Sequence, residues 1–172
     1  MRIKGFSLPV IIIAFILTLG ILISINWVYT EMAIKKPLGQ QLSEVDGVKG
    51  YTIENGPEKM VLTVELGLVD NIETSYMSLS EIAQSHFKNS EGYEFRIIDN
   101  PNKQLITLWN EIQYYAHQSL VQGDFVTLKE SLESIAKDNE GVNYQVHINE
   151  THLFIQVQSH DEYIYRILER TK

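Results

Sequence analysis

Apolar positions follow three different regimes along this chain. From Pro9 to Val28 they are almost continuous (PVIIIAFILTLGILISINWV), and no charged side chain interrupts them. A helix rises about 1.5 Å per residue, so a run of roughly 20 residues matches the hydrocarbon core of a bilayer. In lipid a lone segment satisfies its backbone only as a helix, so the pattern predicts a transmembrane helix over 9–28. Pro37 and Gly39 then predict a break in helical structure, and Gln40 to Asp46 is polar, so 29–46 reads as a tether. Beyond it, period-two alternation and helical spacing take turns, as expected of a folded domain over 47–172.

Tyr51-Thr52-Ile53 and Met60 to Leu68 read as strands joined through Asn55-Gly56-Pro57, a turn signal. Ile72, Tyr76, Leu79, Ala83 and Phe87 recur at helical spacing, with Asp70 and Glu73 placed as a capping pair. Tyr93, Phe95 and Ile97 alternate with charge and predict a third strand. Asn100-Pro101 predicts a helix start, followed by the stripe Leu105, Leu108, Trp109, Ile112, Ala116, Leu120. Gly123 closes it, Asp124 caps a further helix carrying Leu128, Leu132 and Ile135, and Gly141 closes that one. Val142 to Ile148 and Leu153 to Val157 alternate as strands. Ser159 and Glu162 are spaced as a capping box for a last helix with Ile164, Ile167 and Leu168. A strand–strand–helix unit thus recurs after Gly47-Val48 and after Gly141-Val142. The expected fold class is α+β: one N-terminal membrane helix, then an antiparallel sheet packed by three to four helices.

Charge refines this picture. The formal net charge is −8, yet Arg2 and Lys4 precede the apolar run and no acid does, which leaves the remainder at about −10. So acidic a domain repels phosphate, which excludes nucleic acid as an expected partner. The basic tip at 1–8 predicts a cytoplasmic N-terminus and an extracytoplasmic domain, with Trp27 and Tyr29 at the outer interface. Gly20 and Ser24 form a small-xxx-small pair through which two helices could approach, so a homo-oligomer is among the expected assemblies. Cysteine is absent, which removes disulfides and thiolate metal sites.

The opening Lys4-Gly5-Phe6-Ser7-Leu8-Pro9 resembles the leader of type IV pilins and pseudopilins. That resemblance implies cleavage after Gly5, a methylated Phe6 at the new terminus, and a subunit that assembles through its apolar helix. The chain departs from the family's pattern at Val10, where most members carry a glutamate.

No constellation of catalytic or cofactor-binding residues stands out. There is no phosphate-cradling glycine loop, no Gly-x-Ser-x-Gly elbow and no His-Glu-x-x-His. His147 and His152 flank one hairpin without a third placed ligand, so no metal is expected. Asn149-Glu150-Thr151 matches a glycosylation sequon, a triplet frequent by chance. Tyr114 and Tyr115 form an aromatic shoulder on the long helix, and Tyr163 and Tyr165 one on the expected last helix. All four are candidates for partner binding. The expectation is therefore a non-catalytic, cofactor-free, single-pass membrane protein, with the bilayer at Pro9 to Val28 as one partner. Its outer domain would dock onto another membrane or envelope protein, as an assembly, scaffold or regulatory factor. The alternatives are a pilin-like subunit, and a ligand-binding or enzymatic domain whose pocket the sequence hides.

Overall fold

The computed structural model describes the backbone of residues 2–3, 6–29, 36–56, 59–87 and 92–170, and side chains over most of that range from Pro9 onward. The elements in chain order are β1 (Arg2–Ile3), β2 (Phe6–Ser7), α1 (Leu8–Tyr29), α2 (Lys36–Glu44), β3 (Val48–Asn55), β4 (Met60–Leu66), α3 (Ile72–His86), β5 (Tyr93–Ile98), α4 (Lys103–Gln122), α5 (Phe125–Asp138), β6 (Val142–Ile148), β7 (His152–Ser159) and β8 (Glu162–Glu169). Two compact units result, Met1–Gln41 and Leu42–Lys172, with the boundary inside α2.

In the first unit the apolar run is helical, as its composition dictates. Side chains are described only over 9–24, about 24 Å of helix at ~1.5 Å per residue. Among the described residues no helix is long and apolar enough to cross a membrane. The predicted transmembrane helix over Pro9 to Val28 is thereby corrected. With it fall the single-pass topology, the cytoplasmic N-terminus with an extracytoplasmic domain, the bilayer as partner, and docking to a neighbouring envelope protein. Ser24 Oγ donates back to the Gly20 carbonyl at 2.8 Å, and a Cβ added at Gly20 would meet nothing within 4 Å. Gly5, on which leader processing would turn, lies outside the described residues.

The tether also differs from expectation, since Lys36–Glu44 forms a helix. Pro37 sits in its first turn, where a missing N–H leaves no intrahelical bond unmade.

The second unit is α+β, but its sheet is neither single nor wholly antiparallel. β3, β4 and β5 form one three-stranded sheet, and β6, β7 and β8 another. β3 and β4 pair antiparallel, with Tyr51 opposite Val64. β5 runs parallel to β4, with Phe95 opposite Leu62, because α3 intervenes as the crossover that parallel strands need. Asn71 caps α3, its Oδ1 accepting from Glu73 N at 2.8 Å, so the cap lies one residue beyond Asp70. Likewise α4 is capped by Asn102 (Leu105 N to Oδ1, 2.8 Å) rather than at Asn100. Gly123, at φ 73°, supplies the left-handed residue that ends α4.

The α4–α5 hairpin lays its stripe on one face of the second sheet. Leu105, Leu108, Ile112, Leu128 and Leu132 close over Leu153, Ile155, Val157 and Ile164. Each such fully buried aliphatic side chain stabilises the fold by about 1.5–3 kcal/mol. The opposite face of β7 is covered too: Phe154 meets Tyr76 of α3, ring centroids 5.6 Å apart.

That double burial explains the largest local error. The predicted last helix is strand β8, antiparallel to β7 through the turn at His160. Ile164 faces the α4–α5 layer, while Tyr163 and Tyr165 face the opposite way and are also buried. A strand buried on both faces shows no alternation, and its apolar spacing then imitates a helix. The strand–strand–helix recurrence ends there as well.

Candidate binding cleft

β5 and β8 are edge strands of the two sheets, and among the described residues they are bridged only where the chain has just left β5. There Tyr163 N–H donates to the Asn100 carbonyl at 3.1 Å, an isolated antiparallel bridge. One step on, the Asp99 carboxylate takes the place of a backbone carbonyl and accepts from Tyr165 N–H at 2.9 Å. Arg166 Nη1 donates to the same oxygen at 2.8 Å and also to the Tyr165 carbonyl. The guanidinium lies 5.2 Å from the Trp109 ring centroid, a cation–π distance. A side chain wedged into the ladder in this way ends the pairing, and the strands part beyond it.

A second set of bonds fixes that closed end. Tyr163 Oη donates to Leu66 O at 2.9 Å and Tyr165 Oη to Gly67 O at 2.7 Å, while Val69 N–H donates to Tyr165 Oη at 3.0 Å. Gln156 Nε2 donates to Val69 O at 2.8 Å, and its Oε1 accepts from Ile72 N at 3.2 Å. The segment joining β4 to α3 is thus held by three buried side chains of the second sheet. Burial pushes the Tyr165 hydroxyl well above the usual tyrosine range, only partly offset by its bond from Val69.

Beyond Asp99 and Arg166 a cavity of about 350 Å³ opens between the strands. Phe95 and Ile97 form one wall, Ile167 and Glu169 the other, and Tyr76 and His152 line it as well. This volume lies at the lower end of those that take small ligands. The Tyr76 ring packs on Phe95 and His152 at 5.6 and 5.4 Å. Its hydroxyl is pushed up by burial, then by Tyr93 and by the negative charge of Glu169. His152 Nδ1 meets Thr151 Oγ1 at 2.8 Å. Arg166 is neutralised by Asp99, whereas Glu169 has no ion-pair partner among the described residues. Its carboxylate is the uncompensated charge at the open end.

Comparison with protein-family models, curated proteins and solved structures finds no match.

The side chains singled out in the sequence lie elsewhere or play other parts. Tyr114 and Tyr115 sit on α4, 72% and 37% exposed. Tyr163 and Tyr165 are buried, at 2% and 4%, with both hydroxyls bonded internally. His147 Nδ1 lies 3.9 Å from Glu73 Oε2, which also accepts from Asn149 through its other oxygen at 3.1 Å. Among the described residues no three His, Asp or Glu side chains are grouped to hold a metal. Tyr76, Phe95, His152, Arg166 and Glu169 form the cleft, and the sequence had marked only His152 among them as chemistry. The others come from three separate elements, and no spacing in the chain links them.

Proposed function

We propose that the second unit is a ligand-binding module whose site is the cleft between β5 and β8. The observation that carries this reading is the cavity itself: apolar walls with a phenol, an imidazole and one uncompensated carboxylate converging on it. Such a mix suits a ligand with an apolar body and a cationic end. Apolar contact supplies the affinity and Glu169 fixes the orientation. In this reading the module binds its ligand without transforming it.

The test is a titration of the full-length chain with phenethylamine as probe, followed by NMR at the rings of Phe95, Tyr76 and His152. Saturable shifts confined to those rings, in the millimolar range, are expected for so small a probe. Glu169→Gln should weaken them about threefold, as for a partly solvated ion pair. Unmoved ring signals at saturating probe would contradict the proposal.

A further inference from the structure

Tyr163 and Tyr165 aim their N–H groups at Asn100 and Asp99, just past the end of β5, whereas Arg170 N–H donates to Thr151 on the other side. Backbone groups alternate in direction along a strand, so the N–H and C=O of Ile167 and Glu169 must also point into the cleft. Among the described residues β5 pairs only with β4, and β8 only with β7, apart from the bridge at Asn100. The cleft is therefore bounded by two unpaired strand edges as well as by side chains. A row of unpaired backbone donors and acceptors along a cleft is completed most fully by another backbone.

From this, and resting on the cleft as a binding site, we infer that its occupant is an extended peptide segment carrying basic side chains. It enters as a strand between β5 and β8 and bonds to Ile167 and Glu169, joining the two sheets into one of seven strands. β5 and β8 run antiparallel, so the inserted strand is parallel to one and antiparallel to the other. Strand addition of this kind draws affinity from main-chain bonds and selectivity from alternate side chains. Here one set of alternate side chains meets Tyr76, Phe95 and Ile97. Charge complementarity sets the sign: Glu169 is uncompensated at the mouth, and the chain after the apolar run carries a formal charge of about −10.

The experiment uses the full-length chain and three blocked pentapeptides. One alternates lysine and valine, one is the same peptide N-methylated at its valines, and one replaces lysine by glutamate. Calorimetry reads affinity and hydrogen exchange reads the amides of Ile167 and Glu169. The lysine peptide should slow exchange at both amides by about tenfold or more at saturation. N-methylation removes main-chain donors but keeps every side chain, and should weaken binding by about tenfold. The glutamate peptide should bind more weakly than the lysine peptide, and Glu169→Gln should narrow that difference. If the N-methylated peptide binds equally well, or the amides stay unprotected, strand addition is wrong. If phenethylamine binds and the lysine peptide does not, strand addition fails while the cleft survives as a small-molecule site. If neither binds, both readings fall.

Discussion

The junction between the two sheets has a closed end and an open end, and the two are built from opposite chemistry. At the closed end every buried polar group has a partner: Tyr163, Tyr165 and Gln156 grip residues 66–72, and Asp99 holds both Tyr165 N–H and Arg166. At the open end a few ångströms along the same strands, the Tyr76 hydroxyl and the Glu169 carboxylate have no protein partner among the described residues, and backbone edges are left unpaired. Satisfied polar groups confer stability and a unique register. Unsatisfied ones that remain reachable by solvent are where a ligand gains most. One strand pair thus serves as hinge-pin and as binding lip, and substitutions should separate the two roles.

The largest effect is expected at Gln156, which is 1% exposed. Gln156→Leu leaves the Val69 carbonyl and the Ile72 amide without partners and should destabilise by about 2–4 kcal/mol, read by chemical denaturation. Tyr165→Phe removes one hydroxyl that both donates and accepts, and should cost about 1–3 kcal/mol. Asp99→Asn keeps the acceptor for Tyr165 N–H but loses the charge facing Arg166. A loss of about 1–2 kcal/mol is expected, since the pair is part-exposed. Tyr76→Phe, at the open end, should change stability by less than about 0.5 kcal/mol. An equal loss at Tyr76 and Tyr165 would erase the distinction.

Alkaline pH sharpens the same contrast. The folded value of Tyr165 lies above the unfolded value of about 10, so the fold holds the neutral form. Its contribution is fully present below pH ~10 and is lost as pH rises from there through the folded value, because the unfolded chain releases its proton first. Tyr76 and Tyr93 are also pushed up by burial and act with the same sign. The melting temperature should fall above pH ~10, and less steeply in Tyr165→Phe.

Much of this architecture can be read from the residues. The α4 and α5 stripes, the β3–β4 hairpin and the β6 alternation follow from periodicity, because each has one buried and one more open face. β7 is legible although both its faces are covered, because polar Gln156 and Gln158 still alternate with Ile155 and Val157. β8 is not, since it is buried on both faces without such alternation. The cleft is illegible for a different reason. Tyr76 reads as one more member of a helix stripe, Phe95 as one more strand residue, and Glu169 as a surface acid. Only the parting of β5 from β8 makes them neighbours, and that parting is caused by Asp99, a residue with no marked pattern around it. The apolar run at 9–28 teaches the converse: composition predicts helix, which forms, while its extension to a membrane span is not carried by the described residues.

The most direct test of the two-ended junction is hydrogen exchange at four amides of the free full-length chain. Tyr163 and Tyr165 donate to Asn100 and Asp99, and should exchange only with global unfolding. Ile167 and Glu169 face the cleft and should exchange faster by about a hundredfold or more. Equal protection at all four amides would mean that β5 and β8 remain paired along their length, and would contradict the open cleft.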